Sequence, residues 1–99
     1  MNRFAAREIR GWILRILYMN MPEWAGDHLI SQILTDAQYR VSPAQVQGHL
    51  NYLAEKGYVE LKEVTSEETG LTRHIAKLTP KGIDLVEGNI PEDPGVDRR

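Results

Sequence analysis

Apolar residues recur along positions 3–19 at helical spacing. Ile9, Trp12, Ile13, Ile16 and Leu17 fall on one side, while Arg3, Arg7 and Arg10 form a stripe on another. Leu14 and Tyr18 lie outside the main apolar side, so the arc is wider than a surface helix with one buried face needs. That width implies a second burial surface, supplied either by the C-terminal segment or by a partner subunit. Asn20-Met21-Pro22 ends the helix, because the residue before a proline avoids the helical region. A second helix is predicted next, with Asp27 as its cap and Leu29, Ile30, Ile33 and Leu34 packing inward. Thr35 to Val41 is a polar connector without glycine or proline, longer than the turn of a tight helix-turn-helix.

The stretch Val41 to Glu60 is the most sharply punctuated part of the chain. Ser42 is a cap and Pro43 sits at the first helical position, where a missing N–H costs nothing. Val46, Leu50 and Leu53 make one narrow apolar stripe, and Gly57 supplies a left-handed stop. Within about 60° of the direction opposite the stripe lie Ala44, Gly48, Asn51, Tyr52 and Glu55, with Gln45 and Gln47 on the flanks. Amide side chains can bond adenine edges in pairs, and Ala44 or Gly48 would let a helix backbone sit close in a major groove. The same residue types also suit an ordinary solvated face. Gly48 is the exception, because glycine costs about 1 kcal/mol against alanine inside a helix and so asks for a reason.

A strand is predicted from Tyr58 to Val64, paired antiparallel with Leu71 to Leu78 across the polar loop Thr65-Ser-Glu-Glu-Thr-Gly70. The tip of this hairpin is acidic at Glu67 and Glu68, with Arg73 and His74 just beyond it. Thr79-Pro80 repeats the cap-then-proline signal and opens a last short helix to about Glu87. Residues 89–99, with two prolines, a glycine and three acids, read as a flexible acidic tail beyond a single domain spanning 3–88.

Charge complicates a nucleic-acid reading, since the chain carries a net charge of −2 whereas duplex binding draws most of its affinity from phosphate contacts. The distribution is uneven, however. Positions 1–15 hold four arginines against Glu8, and Asp84 to Asp97 hold five acids and no base. One face of such a chain can still bind an anion. The arginine stripe is either a solvated face or a contact for DNA or an acidic partner.

With 99 residues, one domain is expected, and with no cysteine there are no disulfides, thiolate metal sites or cysteine nucleophiles. The longest apolar run, Trp12 to Leu17, is broken by Arg15 and is too short to span a bilayer, and arginines interrupt any leader-like segment at the start. The expectation is a cytoplasmic protein without membrane association. His28, His49 and His74 lie on three different elements without ligand spacing, so no metal site is expected. No oriented nucleophile and base, converging carboxylates or phosphate-cradling loop is recognisable, so neither an enzyme nor a cofactor is expected.

The order helix, helix, helix, hairpin, helix is that of a winged helix-turn-helix domain, an α+β fold. The spacing Ser42-x3-Val46-x3-Leu50-x2-Leu53-x3-Gly57-Tyr58-Val59, followed by Leu78-Thr79-Pro80-Lys81-Gly82, resembles bacterial transcriptional regulators of the MarR, PadR and ArsR kinds over residues 5–88. The resemblance implies a homodimer that reads duplex DNA, with residues 42–56 as recognition helix and 65–72 as wing. Carried onto this chain, base contacts fall to Gln45, Gln47, Gly48, Asn51 and Tyr52, and phosphate contacts to Arg40, Ser42, Lys56 and Arg73. Ile9, Trp12, Ile13 and Ile16 of the first helix would form the dimer interface. Three departures stand out: the acidic wing tip, the short final helix, and the lack of the cysteines that an ArsR-type thiolate sensor needs. The acidic wing and negative net charge also fit an alternative, a winged-helix protein-interaction module that has lost DNA binding.

Overall fold

The computed structural model describes residues 3–98, with side chains from Ala5 to Arg98; Met1, Asn2, Arg99 and the side chains of Arg3 and Phe4 lie outside the described residues. Helix α1 (Arg3–Met19) is followed by a two-residue strand β1 (Ala25–Gly26), then α2 (Asp27–Asp36) and α3 (Pro43–Glu55). Strands β2 (Val59–Thr65) and β3 (Thr72–Leu78) form the hairpin, and α4 (Pro80–Glu87) closes the order. The fold is α+β, a winged helix-turn-helix: α1, α2 and α3 pack together on one face of an antiparallel sheet of order β1-β3-β2.

The predicted caps at Ser42 and Thr79 organise the chain as expected. Ser42 Oγ accepts the Gln45 N–H while the Gln45 side chain accepts the Ser42 N–H, so both ends of a capping box are made at α3. Gly57 turns with φ +85 straight into β2. The Leu78-Thr79-Pro80-Lys81-Gly82 box locks this same turn from the other side. Thr79 Oγ1 donates to Gly57 O at 2.6 Å and accepts the Gly82 N–H, while Thr79 N–H donates to Tyr58 O. Gly82 is packed so tightly on the Tyr58 carbonyl that a Cβ would overlap it. The box is thus a clasp between the end of α3 and the start of α4.

Residues 25–26 form a strand the sequence does not announce, because two residues carry no alternation. Ala25 pairs with Ala76 and Gly26 with Ile75 on the open edge of β3. Asp27 is accordingly not the cap of α2 but its first residue, with Gly26 in the cap position. Two further expectations for α2 fail. Ile30 and Leu34 are buried, but Leu29 and Ile33 remain 49% and 38% exposed, since α2 has neighbours on one side only. The connector after α2 finds its turn in Gln38, a non-glycine residue at φ 71. Tyr39 then ties it to α1, accepting from Trp12 Nε1 and donating to Glu8.

Residues 89–98 fold back onto the domain. Val96 and Asp93 are buried, and Val96 shares a cleft with Leu14, Leu85 and Val86. This segment is the second burial surface that the wide apolar arc of α1 requires, and it explains why Leu14 is buried off the main stripe. The enlarged core leaves Ile9 and Ile13 fully enclosed within the protomer, so neither can offer surface to a partner, contrary to their expected place in a dimer interface. Trp12 and Ile16 stay partly exposed.

Candidate nucleic-acid interface

Helix α3 presents one buried and one open side. Val46, Leu50 and Leu53 are sealed in the core together with His49, whereas Ala44, Gln45, Gly48, Asn51 and Glu55 are exposed. A Cβ added at Gly48 would meet nothing within 4 Å, so no packing inside the protein accounts for the glycine. The open face carries small residues at Ala44 and Gly48, amides at Gln45 and Asn51, and Glu55 towards its C-terminal end.

Several of the predicted contact residues have duties inside the protein. Gln47 Nε2 donates at 2.7 Å to Asp27, which is fully buried at the start of α2. The same carboxylate accepts the His28 N–H and lies 2.9 Å from His28 Nδ1, with His74 Nδ1 at 3.6 Å. Burial works to raise the Asp27 pKa, but the hydrogen bonds from Gln47 and His28 and the nearby His28 outweigh it, and the carboxyl is held below its usual range. Gln47 thus joins α3 to α2 and is withdrawn from paired base recognition. Tyr52 is half-buried, with the Arg10 guanidinium 3.7 Å above its ring and Gly95 pressed against its hydroxyl. Lys56 Nζ is 2.9 Å from Asp93, a hydrogen bond that raises the lysine pKa. Sequence reasoning missed these three attachments. Only the last two left a trace, the second burial surface implied by α1.

The remaining candidates are open. Ser42 and Gln45 are exposed, and although each accepts a bond in the capping box, the Ser42 hydroxyl and the Gln45 NH2 remain donors for an external acceptor. Asn51, Gly48, Arg40 and Arg73 are exposed. The wing is a hairpin whose tip is closed by Ser66 N–H to Leu71 O and Gly70 N–H to Ser66 O, with Glu67 and Glu68 in solvent. On the outer face of the sheet, Lys62 and Lys77 approach the Trp24 ring at 4.3 and 4.9 Å, cationic positions near Arg73 that the sequence alone did not single out.

A buried-stripe helix with an open outward face, preceded by two helices and followed by a wing, defines a winged helix-turn-helix domain. No family model matches the chain, and no curated protein matches it. Solved structures do. A PadR-like transcription factor from Bacteroides fragilis superposes with a TM-score of 0.62 at 25% identity, over 81% of this chain and 78% of that one. Bacillus subtilis PadR in complex with operator DNA gives 0.58 at 18% identity, over 82% of this chain and 49% of that one. A structure of the DNA recognition and protein interaction domains of HOP2 gives 0.54 at 20% identity, over 72% of this chain and 98% of that one. The chain is a winged helix-turn-helix protein similar in fold to PadR-like proteins, among them a PadR-like transcription factor. No helix among the described residues is long and apolar enough to cross a membrane.

Proposed function

We propose that this protein is a DNA-binding transcriptional regulator that reads duplex DNA with residues 42–56 and the wing at 65–72, acting as a homodimer. The observation that carries the reading is the open side of α3, where Gly48 has empty space above it and Asn51 and Gln45 stand beside it. An exposed helical glycine with no internal packing duty fits close approach of an outside surface. Asn51 and Gln45 are the base-reading pair, and Arg40, Ser42 and Arg73 hold phosphates. The two PadR-like neighbours, one of them bound to operator DNA, support this assignment.

For the dimer, Trp12 and Ile16 of α1 line an apolar groove of about 360 Å³ with Met19, Leu29, Ile33 and Ala37. Met19 and Leu29 are 77% and 49% exposed in this groove, so one apolar patch lies open, which supports a two-fold interface between copies of the chain. Duplex binding titrated against salt tests the whole reading. Asn51→Ala is expected to cost about 1–3 kcal/mol and relax specificity, and Arg40→Ala to reduce the salt slope by about one. Absence of duplex binding at low salt sinks it.

A second reading, a protein-interaction module without DNA binding, is favoured by the acidic wing tip at Glu67 and Glu68. A hetero-complex that survives high salt, from a protein that retains no duplex, would select it.

A further inference from the structure

Residues 92–97 lie along one flank of the recognition helix and hold three cations. Asp93 accepts from Tyr58 Oη at 2.6 Å, from the Gly95 N–H at 2.8 Å and from Lys56 Nζ at 2.9 Å. Asp97 pairs with Arg7 at 2.8 Å, and its N–H donates to Arg7 O. Arg10 donates through Nη1 to Gly95 O and through Nε to His49, with its plane over Tyr52. Gly95 lies so close to the Tyr52 hydroxyl that a Cβ would collide with it. At 100° per residue, Tyr52 and Lys56 sit about 60° and 100° round from Glu55, the middle of the open face of α3. The row Arg7, Arg10, Lys56 therefore borders the surface assigned to the groove, where a duplex backbone seated on that face would run.

We propose that Arg7, Arg10 and Lys56 form a phosphate-binding flank for duplex DNA and that the segment 92–97 occupies it as a displaceable anionic strap, its carboxylates standing where phosphate oxygens would. This rests on the DNA-reading function proposed above and adds its regulation. Three features support it. The strap meets the cations through carboxylates and a carbonyl oxygen, the acceptor types a phosphate chain would replace. Arg7 Nε is buried without a hydrogen-bond partner among the described residues, so the strap leaves part of the arginine fork unused. Burial alone would raise the Asp93 pKa, yet the bonds from Tyr58, Gly95 and Lys56 outweigh it and hold the carboxyl at about 2, so Asp93 is anionic at neutral pH. The flank also resolves the shortage of positive charge on α3: its cations exist but are already engaged.

The test is duplex binding at several salt concentrations by the full chain and by a double variant, Asp93→Asn with Asp97→Asn, whose fold is checked by circular dichroism. The variant is expected to bind roughly tenfold tighter or more, with a salt slope steeper by up to about 0.9 for each cation that gains a phosphate. A folded variant with unchanged affinity and slope overturns the strap while leaving DNA reading intact; absence of binding in both proteins removes both. Should the variant not fold, amide exchange in the wild-type chain decides. The Gly95 and Asp97 N–H groups are expected to lose protection when duplex is added, and protection retained at saturation overturns the proposal.

Discussion

Gly48 and Gly82 show how two glycines in one fold answer opposite demands. Gly82 meets the Tyr58 carbonyl inside the protein, so Gly82→Ala must push backbone against backbone. It is expected to cost about 1–3 kcal/mol in chemical denaturation, as overpacking does. Gly48 meets nothing, so Gly48→Ala is expected to stabilise the folded chain by about 0.5–1 kcal/mol while weakening duplex binding. A rise in stability with unchanged DNA affinity would show that the open face of α3 is not approached closely. Gln47 makes the complementary point. Its amide looks like a base reader on a helical wheel, but the wheel cannot see Asp27, which reaches across from α2 and takes the NH2. Gln47→Ala leaves a buried carboxylate short of a donor and is expected to cost about 1–3 kcal/mol of stability.

At the level of elements, most boundaries were legible because each rests on local chemistry: Ser42-Pro43 and Thr79-Pro80 open helices, and Gly57 closes one. What was not legible depends on neighbours. Strand β1 exists because β3 has a free edge, and Leu29 and Ile33 stay outside because nothing covers that side of α2. The segment 89–98 reads as disordered by composition, yet one valine and one aspartate bury well, since α1 offers Leu14 to the first and Tyr58 and Lys56 supply donors to the second. Burial pushes Tyr58 up, and its hydrogen bond to Asp93 helps take it to about 12, so that donor is retained across the neutral range. The Asp93 carboxyl is depressed in the folded chain, so its contribution is present above the ordinary carboxylate pKa and is lost as pH falls through about 2. An acid titration followed by amide exchange of residues 92–98 is expected to show the strap detaching between about pH 4 and pH 2. Asp93→Asn should remove most of that pH dependence.

For the whole molecule, the proposed function raises the question of how a domain of 99 residues would reach operator-like affinity. On the proposed reading a single α3 would offer few base contacts, Asn51 and Gln45 foremost, and specific binding generally needs two such helices on two half-sites about 34–36 Å apart. In the proposed dimer the exposed apolar groove between α1 and α2 would be the pairing surface, because Met19, Leu29 and Ile33 are costly to leave in water. A stable interface of ordinary size buries roughly 800 Å² on each partner, against a protomer surface of 6057 Å². Ile33→Glu places a charge in the groove without touching the core, since Ile33 is not enclosed in the protomer. It is expected to leave the melting temperature of the protomer fold nearly unchanged and to convert a dimer near twice 11.3 kDa into a monomer by sedimentation. Duplex binding should then fall by more than tenfold on a two-half-site operator and hardly at all on a single half-site, because the base-reading face of α3 is intact. A wild-type chain that sediments as a monomer with full affinity for a two-half-site duplex would remove the groove from the account of DNA binding.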